Sequence, residues 1–198
     1  MKEEFRTKIA VFVSGGGTNL QALIDAEKSG IIKHGTLSLV VSSVDSAYAL
    51  QRSRKAEIES VVSFDEKEIL QILEKKEIEL IVLAGYLHIL SPKFVERYRN
   101  RIINVHPSLI PSFCGRGMYG IKVHEAALSY GVKLSGATVH YVNEIPDGGE
   151  IISQKTVCVL DDDTPESLQR RIMEEAEWLL LPEATEKISK EIYDEKHI

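Results

Sequence analysis

Over its first 105 residues this chain alternates short apolar, β-branched runs with segments of helical period, and that alternation restricts its fold more than any other feature. The apolar runs are Lys8–Val13, Leu37–Ser42, Ser60–Ser63, Leu80–Ala84 and Ile102–Val105. Several are apolar on both faces, as parallel strands buried between two layers must be. Helical periods fill the gaps at Asn19–Ser29, Asp45–Glu57, Asp65–Lys76 and Ser91–Asn100. Asp65 and Glu68 have the spacing of a capping box, and Pro92 follows Ser91 where a first helical residue belongs. Strand alternating with helix predicts right-handed βαβ units, hence an α/β fold with an open, mostly parallel twisted sheet and helices on both faces.

Past residue 105 the pattern changes. A Gly/Pro-rich loop, Pro107–Gly120, leads to a helix from about Val123 to Tyr130. Two strand-like runs, Ala137–Val142 and Glu150–Val159, flank a turn at Asn143–Gly149, and Thr164-Pro165 opens a long helical segment expected to break or kink at Pro182. No repeat, linker or low-complexity tract divides the chain, so a single domain, 1–198, is expected. Cys114 and Cys158 are too few for a disulfide framework, and the mixed charges of Met1–Lys8 lack the signature of a signal peptide. A cytoplasmic protein is the default expectation. No apolar run approaches the ~20 residues that span a bilayer, so no membrane partner is expected. With 24 basic and 30 acidic side chains the net charge is −6. That disfavours broad capture of nucleic acid and leaves small molecules as the expected partners.

Three motifs carry potential chemistry. Ser14-Gly-Gly-Gly-Thr-Asn19 joins the first strand to the first helix, where backbone N–H groups and the helix dipole converge on an anion. It lacks the Gly-Lys-Ser/Thr of a Walker loop, and Leu20 stands where a dinucleotide fingerprint has its third glycine, which disfavours a nicotinamide-dependent reductase. Its plain structural reading is a tight turn with Thr18 or Asn19 as helix N-cap. Asn104 and His106 lie two apart at the carboxyl end of the fifth run, so they face one side, an amide suited to an oxyanion beside an imidazole suited to proton transfer. The plain alternative is a buried histidine capping a strand end. Asp147, in Pro146-Asp-Gly-Gly149, is able to point at the same cleft, although Asp-Gly by itself is an ordinary hairpin signal. If Asp147 adjoins His106, its charge favours the imidazolium and predicts a pKa above ~6.5.

In this order and spacing, Ser14-Gly-Gly-Gly-Thr-Asn-Leu20, Ala84-Gly-Tyr-Leu-His-Ile-Leu-Ser-Pro92, Asn104-Val-His-Pro-Ser-Leu-Ile-Pro111 and Asp147-Gly-Gly149 resemble the phosphoribosylglycinamide formyltransferases. The resemblance extends over essentially the whole chain and implies a Rossmann-like formyltransferase fold. The first half, 1–105, would then be the phosphate-binding βαβ half, and 106–198 the folate-binding and catalytic half. It implies transfer of a formyl group from the co-substrate 10-formyltetrahydrofolate to the glycinamide amine of a 5-phosphoribosyl substrate, without a metal. Asn104, His106 and Asp147 fall on the family's catalytic positions. Gly16, Gly17, Thr18 and Asn19 would hold the substrate phosphate, and Glu177 matches a carboxylate that bonds the ribose hydroxyls. Leu87, His88, Ile89 and Leu90 match the stretch lining the folate pocket, with Asn104. Val142, Asn143, Glu144, Ile145 and Pro146 match the pterin-facing loop, and Lys67 lies near a basic position that meets the folate tail.

Two departures stand out. Phe113–Lys122 is longer than the family's usual connection, placing Arg116 and Lys122 where they would add positive charge beside the substrate phosphate, and His88 replaces a common arginine. The same Asn-x-His…Asp constellation occurs in methionyl-tRNA formyltransferase and formyltetrahydrofolate deformylase. An extra basic C-terminal domain is expected of the first and an N-terminal regulatory domain of the second. The remaining rival is a nucleotide- or folate-binding module without turnover. Either a monomer or a homodimer is compatible with these features.

Overall fold

The structure is a computed structural model that describes residues 6–197; the reading of the first five residues lies outside them. Five parallel strands, β1 (Thr7–Val13), β2 (Gly35–Ser42), β3 (Ser60–Val62), β4 (Leu80–Leu83) and β5 (Ile102–His106), are extended by antiparallel β6 (Leu134–Tyr141) and β7 (Ile151–Cys158). The sheet order is β3-β2-β1-β4-β5-β6-β7. Between and after the strands run α1 (Thr18–Ser29), α2 (Ala49–Lys55), α3 (Glu66–Lys75), α4 (Pro92–Arg97), α5 (Ile121–Tyr130), α6 (Pro165–Ile172), a π-helical turn (Met173–Glu177) and α7 (Trp178–Lys196).

The doubly apolar strands explain the two layers. Alternate residues of β1 point to opposite faces. Ile9, Val11 and Val13 meet α1 and α7 through Leu20, Leu23, Leu181 and Ile188. Ala10 and Phe12 meet α3 and α4 through Ile69, Leu73 and Phe94. Because β1 lies between β2 and β4, the chain winds outward in opposite directions from the β1–β4 pair. The crevice at the carboxyl ends of those strands is where open α/β sheets bind ligands.

Several local expectations need correction. Helix α2 starts four residues later than expected, at Ala49, after the Asp45–Tyr48 turn. Asp65 does cap α3, accepting from Lys67 N–H, but Glu68 bonds the Ser63 hydroxyl at 2.6 Å instead of closing the box. Ser91 and Thr164 cap α4 and α6 with proline next in line, as expected. Pro182 sits inside a continuous α7, and the irregularity lies upstream in the π-helical turn. Pro182 offers no N–H to the Trp178 carbonyl one turn back, and the π-helical turn ends immediately before that residue.

Candidate active site

The glycine-rich loop leaves β1 at the crevice. Neither Thr18 nor Asn19 caps α1, contrary to the plain reading. The N-cap is Gly17, in the left-handed region at φ 70°, and no side chain bonds the first turn. The opening N–H groups of α1 therefore have no intrahelical partner and no competing cap, the arrangement that receives an anion. A Cβ on Gly17 would lie 2.7 Å from the Ala49 Cβ, so this glycine is required by the packing of α1 on α2. Gly15 and Gly16 differ: a Cβ on either meets nothing within 4 Å and neither has a positive φ. The fold has no need of glycine at those two positions, and their bare backbone borders open space. Arg52 supplies the adjacent cation, its Nε donating to the Gly16 carbonyl at 2.9 Å. Arg116 and Lys122 do not take that place. Arg116 lines the cavity described below, and Lys122 folds over the Tyr119 ring.

Asn19 turns away from the cap position to donate to Glu177 at 2.6 Å, at the end of the π-helical turn. Both are buried, and the Asn19 Oδ1 has no partner. Burial pushes the Glu177 carboxyl up, opposed by the Asn19 bond.

At the end of β5, Asn104 and His106 face one side as the spacing requires. Antiparallel pairing sets Asn104 opposite His140 and His106 opposite Thr138. The Asn104 Nδ2 donates to His140 Nε2 at 3.1 Å, and His140 Nδ1 donates to the Tyr141 carbonyl at 2.8 Å. One Asn104 N–H remains for a ligand. Asp147, at φ 57° in the turn after β6, brings Oδ2 to 3.5 Å from His106 Nδ1 and Oδ1 to 3.6 Å from His140 Nε2. The turn itself is held by close approach: a Cβ on Gly149 would fall 1.7 Å from the Tyr141 carbonyl oxygen.

Asp147 does adjoin His106, but the expected rise in the histidine's pKa is reversed. Burial pushes the His106 imidazole below its ordinary value, and His140 adds to this; the charge of Asp147 and the Phe113 carbonyl oppose it without prevailing. His106 is 4% exposed, so desolvation of the cation outweighs attraction across 3.5 Å. Burial alone would raise the Asp147 carboxyl. Its contacts with His140, His106 and the Gly115 N–H more than compensate and hold it below the ordinary value.

Asn104, His140 and Asp147, but not His106, open on a cavity of about 230 Å³ walled by Leu87–Leu90 after β4, by Val142–Asp147 after β6, and by Arg116, Met118 and Tyr119 of the longer loop. Asn104 and His140 form its floor, together with Leu83. All the residues assigned to a folate pocket line it except Lys67, which stands on the first turn of α3 outside these walls. The walls thus come from both halves of the chain. Leu87 and Ile89 are exposed, and His88 stacks on Phe64 with ring centroids 6.3 Å apart. A larger apolar cavity, about 570 Å³, lies between α1 and α7 beyond Thr18 and Arg52. No group of three or more His, Cys, Asp or Glu among the described residues is arranged to hold a metal, and no described helix is long and apolar enough to cross a membrane.

Sequence reasoning missed Arg52 and His140. Nothing local marks His140; its signal is the β5–β6 pairing, which sets it across from Asn104. A shift in strand register between Val139 and His140 accompanies it, the kind of bulge that re-aims side chains beside active sites.

An uncapped helix N-terminus at a strand–helix turn, beside an amide, two imidazoles and a carboxylate at the switch point of a doubly wound sheet, is the site of an α/β protein equipped to hold an anion and to move protons. Residues 7–185 match the formyl transferase family, and the chain belongs to that family. It is 40% identical over 178 residues to the phosphoribosylglycinamide formyltransferase of Haemophilus influenzae, covering 85% of this chain and 81% of that one. It is 38% identical over 182 residues to the chloroplastic phosphoribosylglycinamide formyltransferase of Arabidopsis thaliana, covering 87% of this chain but 62% of the plant protein. The crystal structure of glycinamide ribonucleotide transformylase 1 from Symbiobacterium toebii superposes with a TM-score of 0.88 at 35% identity, covering 96% of this chain and 90% of that one. A formyltetrahydrofolate deformylase from Pseudomonas syringae superposes at 0.83 with 25% identity, and this chain covers 62% of it.

Proposed function

We propose that this chain transfers the formyl group of 10-formyltetrahydrofolate to the glycinamide amine of 5-phosphoribosylglycinamide, a step in building the purine ring. The observation that carries the reading is that Asn104 and Asp147 line one cavity, with His106 3.5 Å from Asp147, at the same sheet edge as an uncapped helix N-terminus preceded by bare glycines. A hydrolase acting on the folate alone has no use for that terminus. In this reading the opening N–H groups of α1 and the Gly15–Gly16 backbone hold the phosphate, Glu177 takes the ribose hydroxyls, and the 230 Å³ cavity takes the pterin end of the folate.

The substrate amine is the nucleophile and attacks neutral. As the formyl carbon becomes tetrahedral, its oxygen gains charge, met by the free Asn104 N–H. The attacking nitrogen then carries a surplus proton and the departing folate nitrogen lacks one. Asp147, ionised and aimed at both imidazoles, is placed to hold a water that takes up the surplus proton and passes it to His106 Nδ1, which delivers it to the departing nitrogen. A histidine held below its ordinary pKa is a stronger acid once protonated, which suits donation to a weakly basic leaving nitrogen. Alignment of the two substrates supplies much of the remaining acceleration.

A steady-state assay with glycinamide ribotide and 10-formyltetrahydrofolate tests the reading. Formylated ribotide is the expected product. Formate released at the same rate without ribotide would make the chain a deformylase, and a raised melting temperature with both ligands but no turnover would make it a binding module.

A further inference from the structure

The longer connection after the Asn-x-His motif touches both members of the charge pair through its backbone. His106 Nε2 lies 2.9 Å from the Phe113 carbonyl, which only accepts, so Nε2 carries a proton. In the neutral ring this leaves Nδ1 bare, facing Asp147. Two residues on, the Gly115 N–H donates at 2.8 Å to Asp147 Oδ2, the same oxygen that faces Nδ1. The segment is braced for this. Ser108 Oγ donates to the Ser112 carbonyl at 2.6 Å, and the Cys114 thiol lies 3.2 Å from the Pro111 carbonyl. Phe113 adopts φ 49°, a region a bulky side chain avoids, and its ring packs edge-on against Tyr130 of α5 with centroids 6.0 Å apart. Strain of this kind persists where surrounding contacts over-determine it, and it concentrates at functional sites.

We propose that Phe113 and Gly115 are positioning residues: the Phe113 carbonyl selects the Nε2–H tautomer of His106, and the Gly115 N–H steers Asp147 Oδ2 onto its bare Nδ1. The catalytic part of this rests on the formyl-transfer reading; the tautomer does not. Without the Phe113 carbonyl, the neutral ring gains more by donating Nδ1–H to the Asp147 carboxylate, so the proton changes nitrogen. The ring of Phe113 anchors the carbonyl, and Phe113→Ala releases it.

Imidazole ¹⁵N spectra at pH 8, where His106 is neutral, read the tautomer without any turnover. Phe113→Ala is expected to move His106 from the Nε2–H to the Nδ1–H form and to lower kcat about 10²-fold, the scale of an ångström's misplacement. Phe113→Tyr is expected to restore both. Gly115 and Gly131 lie at φ 89° and 82°, and a Cβ on either meets nothing within 4 Å. Alanine therefore strains the backbone alike at both, but only Gly115 touches Asp147, and Gly131, at the end of α5, lies outside the cavity. Gly115→Ala should lower kcat about 10²-fold, and Gly131→Ala no more than a few-fold. An unchanged tautomer in folded Phe113→Ala, or equal losses in the two glycine variants, overturns the proposal. If the parent itself does not transfer formyl, the functional reading fails and the spectra still decide the tautomer.

Discussion

His124, on the buried face of α5, offers a test in which burial is the main cause of the effect. It is 0% exposed, and neither ring nitrogen has a partner. Burial, with the nearby charge of His106 adding to it, pushes its pKa down to about 4. In the unfolded chain the same ring titrates near ~6.5. From pH 6.5 down to 4 the unfolded state therefore binds a proton that the folded state refuses. Stability is complete above the unfolded pKa and falls as the pH drops through that window. At pH 5 the loss amounts to about 2 kcal/mol for this one group. With a urea dependence near ~2 kcal/mol per molar, the unfolding midpoint should drop by about 1 M from this source. His124→Leu removes the titration, and it also removes a buried polar ring that makes no hydrogen bond, so the variant should be at least as stable as the parent at pH 8. Urea unfolding of both proteins at pH 8, 6.5 and 5 measures the difference. A midpoint that declines equally in the two would show that His124 is not the buried neutral group its surroundings require.

Three further outcomes are expected. Gly16→Ala, with open space at its Cβ, should leave the melting temperature unchanged and raise KM for the ribotide at least about tenfold, with kcat near the parent value; an unchanged KM removes the loop from phosphate binding. The same experiment at Gly17 would be uninformative, because the contact with Ala49 ties that glycine to folding. Asn104→Ala should lower kcat by roughly 10²-fold or more while both KM values change little, the cost of one lost oxyanion donor, and near-parent kcat would exclude that role. Gly149→Ala must open the turn by about 1.5 Å to bring a 1.7 Å approach to an ordinary carbon–oxygen contact. Displacing Asp147 with the turn should lower kcat about 10²-fold, and parent kcat from a folded variant would show that Asp147 needs no such support.

Much of the fold was legible because it rests on short-range regularities. Apolar runs of four to six residues and the helical periods between them imply a covered parallel sheet, and the caps at Asp65, Ser91 and Thr164 are local hydrogen bonds between near neighbours. Spacing also placed Asn104 and His106 on one side of a strand, since side chains alternate along it. Other features depended on partners distant in sequence. Glu68 left its capping box for Ser63, Asn19 left the helix terminus for Glu177, and α7 runs on through Pro182 where a break was expected, with a wide turn upstream that ends at Glu177. His140 entered the site only through the register of β6 on β5. The charge of His106 shows the division most clearly. Residue types and spacing supplied an imidazole and a carboxylate, and from the pair alone an elevated pKa follows. Only the packed structure weighs a 3.5 Å attraction against the loss of water around a ring that is 4% exposed, and desolvation, a property of everything folded around the ring, is the larger.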